Sequence, residues 1–140
     1  MTMKKLLILF FAVGMFQTAL AQEEKVSDGP AISFKEKLYD FGVISRGDTV
    51  EHTFYFENIG TAPLKILSAR GSCGCTVPKY SREEIAPGAK GEVFVRFNSA
   101  GKSGMQNKTV TLVTNATDVA RKQVVLTLRG RVDVQSGDDD

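Results

Sequence analysis

From Thr49 to Glu57 the chain alternates without interruption. Val50, His52, Phe54 and Phe56 fall on one side, and Thr49, Glu51, Thr53, Tyr55 and Glu57 fall on the other. Side chains two apart share a face only in an extended backbone, so this run excludes a helix and requires a half-buried strand. The same period recurs on either side. Ile32 and Phe34 share a face in Ala31–Lys35, and Leu38–Ile44 follows, with a turn at Arg46-Gly47-Asp48. Beyond the loop Asn58–Pro63, Leu64–Ala69 reads as another strand. Val93, Val95 and Phe97 alternate with Glu92, Phe94 and Arg96, and Val110, Leu112 and Thr114 alternate with Thr109, Thr111 and Val113. The last run, Lys122–Val134, puts Val124, Leu126, Leu128 and Val132 on one side.

Turn signals separate these runs. Ile85-Ala-Pro-Gly88 has Pro and Gly in the order that a type II turn favours, and Asn98–Gly104 is a loop of small residues. Residues 79–86 leave room for one short helical turn; no other segment reads as a helix. The expectation is an all-β chain: an Ig-like antiparallel β-sandwich of about seven strands over residues 31–135. A true immunoglobulin domain adds a buried Trp and a disulfide between its sheets. This chain has no Trp, and its two cysteines are too close in sequence to join two sheets. Aliphatic and Phe packing must hold the sandwich.

The N-terminus sets the compartment. Lys4 and Lys5 precede an apolar run from Leu6 to Phe16 and the small-x-small triplet Ala19-Leu20-Ala21, the pattern of a secretory signal peptide. The run is too short to span a membrane, which takes about 20 apolar residues. Cleavage after Ala21 is expected, giving an exported chain, periplasmic or extracellular, with no membrane insertion after cleavage. Residues 22–30 read as a flexible lead-in and 136–140 as an acidic tail. The leader contains Lys4 and Lys5 and no acid, so the remaining basic and acidic side chains balance. Without a net positive field, binding to nucleic acid or an anionic membrane lacks its electrostatic drive.

Both cysteines lie in Arg70-Gly-Ser-Cys-Gly-Cys-Thr-Val-Pro78, between two strand signals. In an extended backbone Cys73 and Cys75 point to the same face with Cα atoms roughly 6.5–7 Å apart, at the limit of disulfide geometry. Gly74 can supply the bend that brings them closer. Export and an even count favour oxidation. A three-residue loop gains only about 1.6 kcal/mol from closure, against roughly 4 kcal/mol for a loop of about 60 residues. Stability alone does not explain the spacing. Three readings stand: a structural pair or bridge, a redox-labile dithiol, and a weak copper(I) site using Cys73 and Cys75, with Met105 as a further ligand.

His52 lies on the apolar side of its strand and reads as a hydrogen-bonded core or rim residue rather than a catalytic base. Asp40-Phe-Gly42 spells a kinase motif in a chain too short for a kinase. Gly101-Lys-Ser103 lacks the first glycine of a phosphate loop, since Arg96 stands in its place. No enzyme activity and no cofactor are expected.

Tyr39-Asp-Phe-Gly-Val-Ile44, His52-Thr-Phe-Tyr-Phe-Glu-Asn-Ile-Gly60, Pro63-Leu64, Ser72-Cys-Gly-Cys-Thr-Val-Pro78, Ile85-Ala-Pro-Gly88 and Val95-Arg-Phe97 occur in that order. Over roughly residues 38–115 the chain resembles the domain of unknown function 1573 family, exported Ig-like domains common in Bacteroidetes. The Ser-Cys-Gly-Cys-Thr element is the most specific part. The resemblance implies a sandwich in the bacterial envelope and brings no established activity. The expected function is a non-enzymatic module that binds an unknown protein partner or supports an assembly. The alternative is thiol-disulfide or copper(I) chemistry at Cys73 and Cys75.

Overall fold

The computed structural model describes residues 28–135. The signal peptide expected at 1–21, most of the lead-in and the tail at 136–140 lie outside the described residues. Eight strands form two sheets: β1 (Ile32–Phe34), β2 (Leu38–Ser45), β3 (Thr49–Asn58), β4 (Ile66–Gly71), β5 (Thr76–Tyr80), β6 (Lys90–Asn98), β7 (Gly104–Thr114) and β8 (Gln123–Asp133). One sheet runs β1-β3-β6-β5 and the other β2-β8-β7-β4. The Ig-like sandwich is therefore present, with eight strands where about seven were expected.

The alternation in the sequence maps directly onto the two inner faces. Phe54, Val93, Val95 and Phe97 from the first sheet are fully buried against Val110, Leu112, Leu126 and Leu128 from the second. Phe97 is central, with the Phe41 ring 5.8 Å away. A buried Phe contributes on the order of 3 kcal/mol through area alone, so a few such rings outweigh the surface ion pairs among the described residues.

Three features depart from the local reading. β2 pairs with β8 in parallel, whereas an antiparallel sandwich was expected throughout. Period two shows that a segment is extended, but it carries no information on partner direction. β2 arrives by crossing from β1 in the other sheet, and Thr127 N donates to Lys37 O at 2.8 Å as it enters. Its register slips between Asp40 and Val43. Asp40-Phe-Gly42 is thus a β-bulge. Asp40 Oδ1 accepts the Gly42 N–H at 2.9 Å, and the Phe41 ring lies over Gly130, where a Cβ would stand 2.3 Å from it.

Second, no helical turn forms in residues 79–86. The segment is extended because Leu64 and Ile85 exchange backbone hydrogen bonds. Buried Asn58 fixes it further: its Nδ2 donates to Ala62 O and Ile85 O, both at 2.8 Å, and its Oδ1 accepts from Gly60 N at 3.0 Å. The type II turn forms as expected, with Pro87 second and Gly88 third: Ala89 N donates to Ala86 O, and Gly88 has φ +78°. A short 3-10 turn, Ala120–Lys122, precedes β8 instead.

Third, the lead-in is anchored from Asp28 onward. Thr61 N donates to Gly29 O and Thr117 N to Pro30 O, both at 2.8 Å.

Two measurements test this packing. Phe54→Ala should cost roughly 3–5 kcal/mol in a denaturant titration through the cavity it leaves. Tyr55→Ala, at a position 54% exposed on the opposite face, should cost much less; equal losses would contradict the register. Asp40 is held below its ordinary value of 3.8, first by the Gly42 N–H and then by Arg129. A depressed carboxyl favours the folded state above the unfolded pKa, and that contribution is lost as pH falls through the folded pKa. Asp40→Asn should therefore lose less stability than the wild type as the pH is lowered below about 4.

Candidate functional site

The cysteine element is where the chain changes sheets. β4 ends at Gly71 in one sheet, β5 begins at Thr76 in the other, and Ser72–Cys75 makes the crossing. The two backbones nearly touch there: a Cβ on Gly71 would stand 2.1 Å from Thr76 O. Only glycine allows so close an approach. The crossing is fastened to both sheets. Ser72 N donates to Thr109 O at 2.8 Å, and Ser72 Oγ accepts the Thr109 N–H at 3.1 Å. Asn98 N donates to Cys75 O at 2.9 Å, and Thr76 N closes a turn onto Cys73 O at 3.2 Å.

That turn draws the Cα atoms of Cys73 and Cys75 to 5.2 Å, inside the bridging range, and the two sulfurs are bonded. The sequence suggested Gly74 as the source of the bend. Its position is open, with nothing within 4 Å of an added Cβ, and its φ is not in the left-handed region. The sterically demanded glycine is Gly71. Nothing in the local pattern marks it, because the atom it must avoid belongs to another strand.

Both cysteines are half-buried, between exposed Ser72 and Gly74 on one side and the core on the other. Cys75 packs against the hydrophobic core. Thr76 is buried, and its hydroxyl reaches both sulfurs, with Oγ1 3.6 Å from Cys73 Sγ and 3.9 Å from Cys75 Sγ. Thr76 pairs with Phe97, and Lys108 Nζ lies over that same ring, 5.9 Å from its centroid. Sequence reasoning missed both Thr76 and Lys108. Alternation could have placed each on an inner face, but not Thr76 beside the sulfurs or Lys108 over Phe97.

The other candidates stand elsewhere. His52 is on the inner side of β3, with Nε2 2.7 Å from Glu36 Oε1 and its ring stacked on Tyr39 at 3.8 Å and 7°. Phe54 meets it edge-on at 4.7 Å. This is a hydrogen-bonded histidine joining the two sheets at the rim. β6 lies between its strand and β5, so about 10 Å of sheet separates it from the strand that follows the cysteines. Met105 is 73% exposed, four positions along β7 from Thr109 and so about 13 Å from the docking point of Ser72. Met105 is thus remote from the cysteines, and the two sulfurs are bonded to each other. Among the described residues no group of three or more His, Cys, Asp and Glu side chains converges.

The model of the protein family described as Protein of unknown function (DUF1573) matches residues 32–132. The chain belongs to the DUF1573 family. Solved structures share its fold at low identity. A protein of unknown function from Porphyromonas gingivalis W83 is 14% identical with a TM-score of 0.64, covering 76% of this chain and 48% of that one. The ASH/PapD-like domain 7 of human CEP192 is 14% identical with a TM-score of 0.54, covering 74% of this chain and 85% of that domain. The secreted serine protease VesC from Vibrio cholerae is 17% identical with a TM-score of 0.56, over 73% of this chain and 23% of the protease. This chain thus spans about half of the Porphyromonas protein and about a quarter of VesC. These likenesses agree with the Ig-like sandwich and put a PapD-like domain among its structural neighbours. Among curated proteins, none matches the chain in sequence. Among the described residues no helix is long and apolar enough to cross a membrane.

The geometry of the crossing separates its two glycines. Gly71→Ala should cost roughly 1–3 kcal/mol, as overpacking does when backbone must give way. Gly74→Ala should change stability by no more than about 0.5 kcal/mol. Comparable losses in the same thermal or denaturant series would refute the crossing described above.

Proposed function

We propose that the protein is an exported, non-enzymatic Ig-like module of the bacterial envelope that binds another protein through the outer face of the β1-β3-β6-β5 sheet. The observation that carries this reading is an outward aromatic pair on adjacent strands. Tyr55 on β3 is 54% exposed, and Phe94 on β6 faces the same side, diagonal to it across the Thr53–Phe94 and Tyr55–Glu92 pairs. Diagonal neighbours in an antiparallel pair are within reach of aromatic side chains. Val77 on β5, 48% exposed, extends the strip. Charges of both signs border it, including the Glu51–Arg96 pair at 3.7 Å. An aromatic centre with a polar rim is the composition of a protein-binding patch.

The sheet edges favour a face over strand addition. β1 has three residues, and β2 and β4 each carry a register shift. On the open side of β5, Thr76 N is already bonded to Cys73 O, and Pro78 has no N–H to offer. Short, bulged and proline-bearing edges resist pairing with another chain. Export is supported by the leader pattern at Lys4–Ala21, and the balanced charge of the remaining chain favours a protein partner over nucleic acid.

A photo-crosslinking residue placed at Tyr55, expressed in the host, should give one discrete protein adduct in the envelope fraction, on a chain beginning at Gln22. The same residue at Arg129, exposed on the other sheet, should not give that adduct. No adduct at either position, or the same adducts at both, would defeat the binding reading. Recovery of intact Met1-bearing chain in the cytoplasm would defeat export.

A further inference from the structure

We propose that the Cys73–Cys75 bridge is a redox-active disulfide that accepts two electrons from a partner bearing a pair of thiols, with Cys73 as the attacked sulfur and the Thr76 hydroxyl holding the leaving thiolate. This goes beyond the docking role and rests on different residues.

Three observations carry it. The bridge is reachable: exposed Ser72 and Gly74 flank Cys73, and the space beside Gly74 is open. The two sulfurs are inequivalent, because Cys75 packs against the core beside buried Thr76, while Cys73 stands between exposed Ser72 and Gly74. A hydroxyl is already in place, since Thr76 Oγ1 lies 3.6 Å from one sulfur and 3.9 Å from the other. A threonine buried at the sandwich end needs a partner for its O–H, and here the sulfurs are that partner.

The exchange balances as follows. A thiolate of the partner attacks Cys73 Sγ, the Cys73–Cys75 bond breaks and a mixed disulfide forms. Cys75 leaves as a thiolate, takes the hydrogen bond of the Thr76 hydroxyl and then a proton from solvent. The partner's second thiol gives its proton to solvent and attacks its own sulfur in the mixed disulfide. That closes the partner's disulfide and expels Cys73 as a thiolate, which is protonated in turn. The partner is oxidised by two electrons, and this chain ends with two thiols. The backbone of the element does not depend on the S–S bond: Ser72, Cys73, Cys75 and Thr76 are each fixed by main-chain hydrogen bonds. The thiols therefore stay close enough to close again.

Dithiothreitol, with alkylation and mass measurement of the folded chain of residues 22–140, tests this. The bridge should open without denaturant, with the unfolding midpoint measured on the same samples, and should close again in oxidised dithiothreitol. Thr76→Val keeps the shape but removes the hydroxyl, and should slow opening roughly tenfold, the scale of one hydrogen bond to a charged group. Thr76→Ser keeps the hydroxyl but loses a methyl group, and should remain within about twofold of wild type. A purely structural threonine gives the reverse order, with Ser more disturbed than Val, and that result would overturn the assignment. A bridge that opens only in denaturant would overturn the proposal whatever the variants do. With oxidised glutathione as the disulfide, Cys75→Ala should form a mixed disulfide at Cys73, releasing reduced glutathione, faster than Cys73→Ala does at Cys75; the opposite order would overturn the choice of Cys73.

Discussion

The sandwich depends on one close approach, the Gly71 backbone against the Thr76 carbonyl. Through it the chain leaves the β2-β8-β7-β4 sheet and enters the β1-β3-β6-β5 sheet within four residues. A longer connection would let the two sheets separate at this end. A bulkier residue would force them apart. With the crossing tight, Thr76 turns inward onto Phe97, and Phe97 receives Phe41 from the opposite sheet. The core thus begins immediately beneath the cysteines. No covalent tie joins one sheet to the other among the described residues, because the only bridge lies within the crossing itself. Packing of Phe54, Phe97 and the leucines of β7 and β8 carries that load.

Where side chains alternate strictly, the sequence was enough to assign faces. β3, β6, β7 and β8 bury the residues that their patterns indicate, from Val50 and Phe54 to Leu126 and Val132. These four are the inner strands of the two sheets, each with neighbours on both sides, so patterning and burial agree most closely there. What stayed hidden was set by partners distant in sequence. The parallel pairing of β2, the stacking of Tyr39 on His52 and the extended path through Ile85 are each fixed by residues more than ten positions away. Residues 79–86 hold Glu83 and Glu84 and no strand pattern, so local reading allowed a helical turn. Hydrogen bonds from Asn58 and Leu64 decided otherwise. The candidate site follows the same division. Cys73 and Cys75 were legible from spacing alone, while Thr76 became part of it only through the turn and the sheet register.

His52 shows why an inward ionisable group need not signal catalysis. Its ring is held on one side by Tyr39 and on another by Phe54, and its Nε2 is occupied by Glu36. Tyr39 belongs to the second sheet and Glu36 to the connection that leads there. The group therefore links the sheets at the rim opposite β5, where β2 must be guided across. A side chain engaged on three sides has little freedom to approach a substrate. Its polar edge at the rim accounts for a histidine at a position that would otherwise be aliphatic.

The small contribution of the bridge to stability is what makes chemistry at the crossing physically reasonable. Closing a three-residue loop removes little unfolded-state entropy, about 1.6 kcal/mol at most in the loop-closure model. The buried rings and leucines between the sheets are worth far more in sum. A disulfide that held the fold could not be opened without unfolding it. In the proposed exchange this one would open at a cost the core absorbs, since hydrogen bonds with Thr109, Asn98 and Thr76 hold the crossing independently. The element would then keep its shape in either oxidation state. A bridge whose presence matters little to folding is free to be placed for reactivity, and the open space beside Gly74 and the hydroxyl of Thr76 are what such a placement requires.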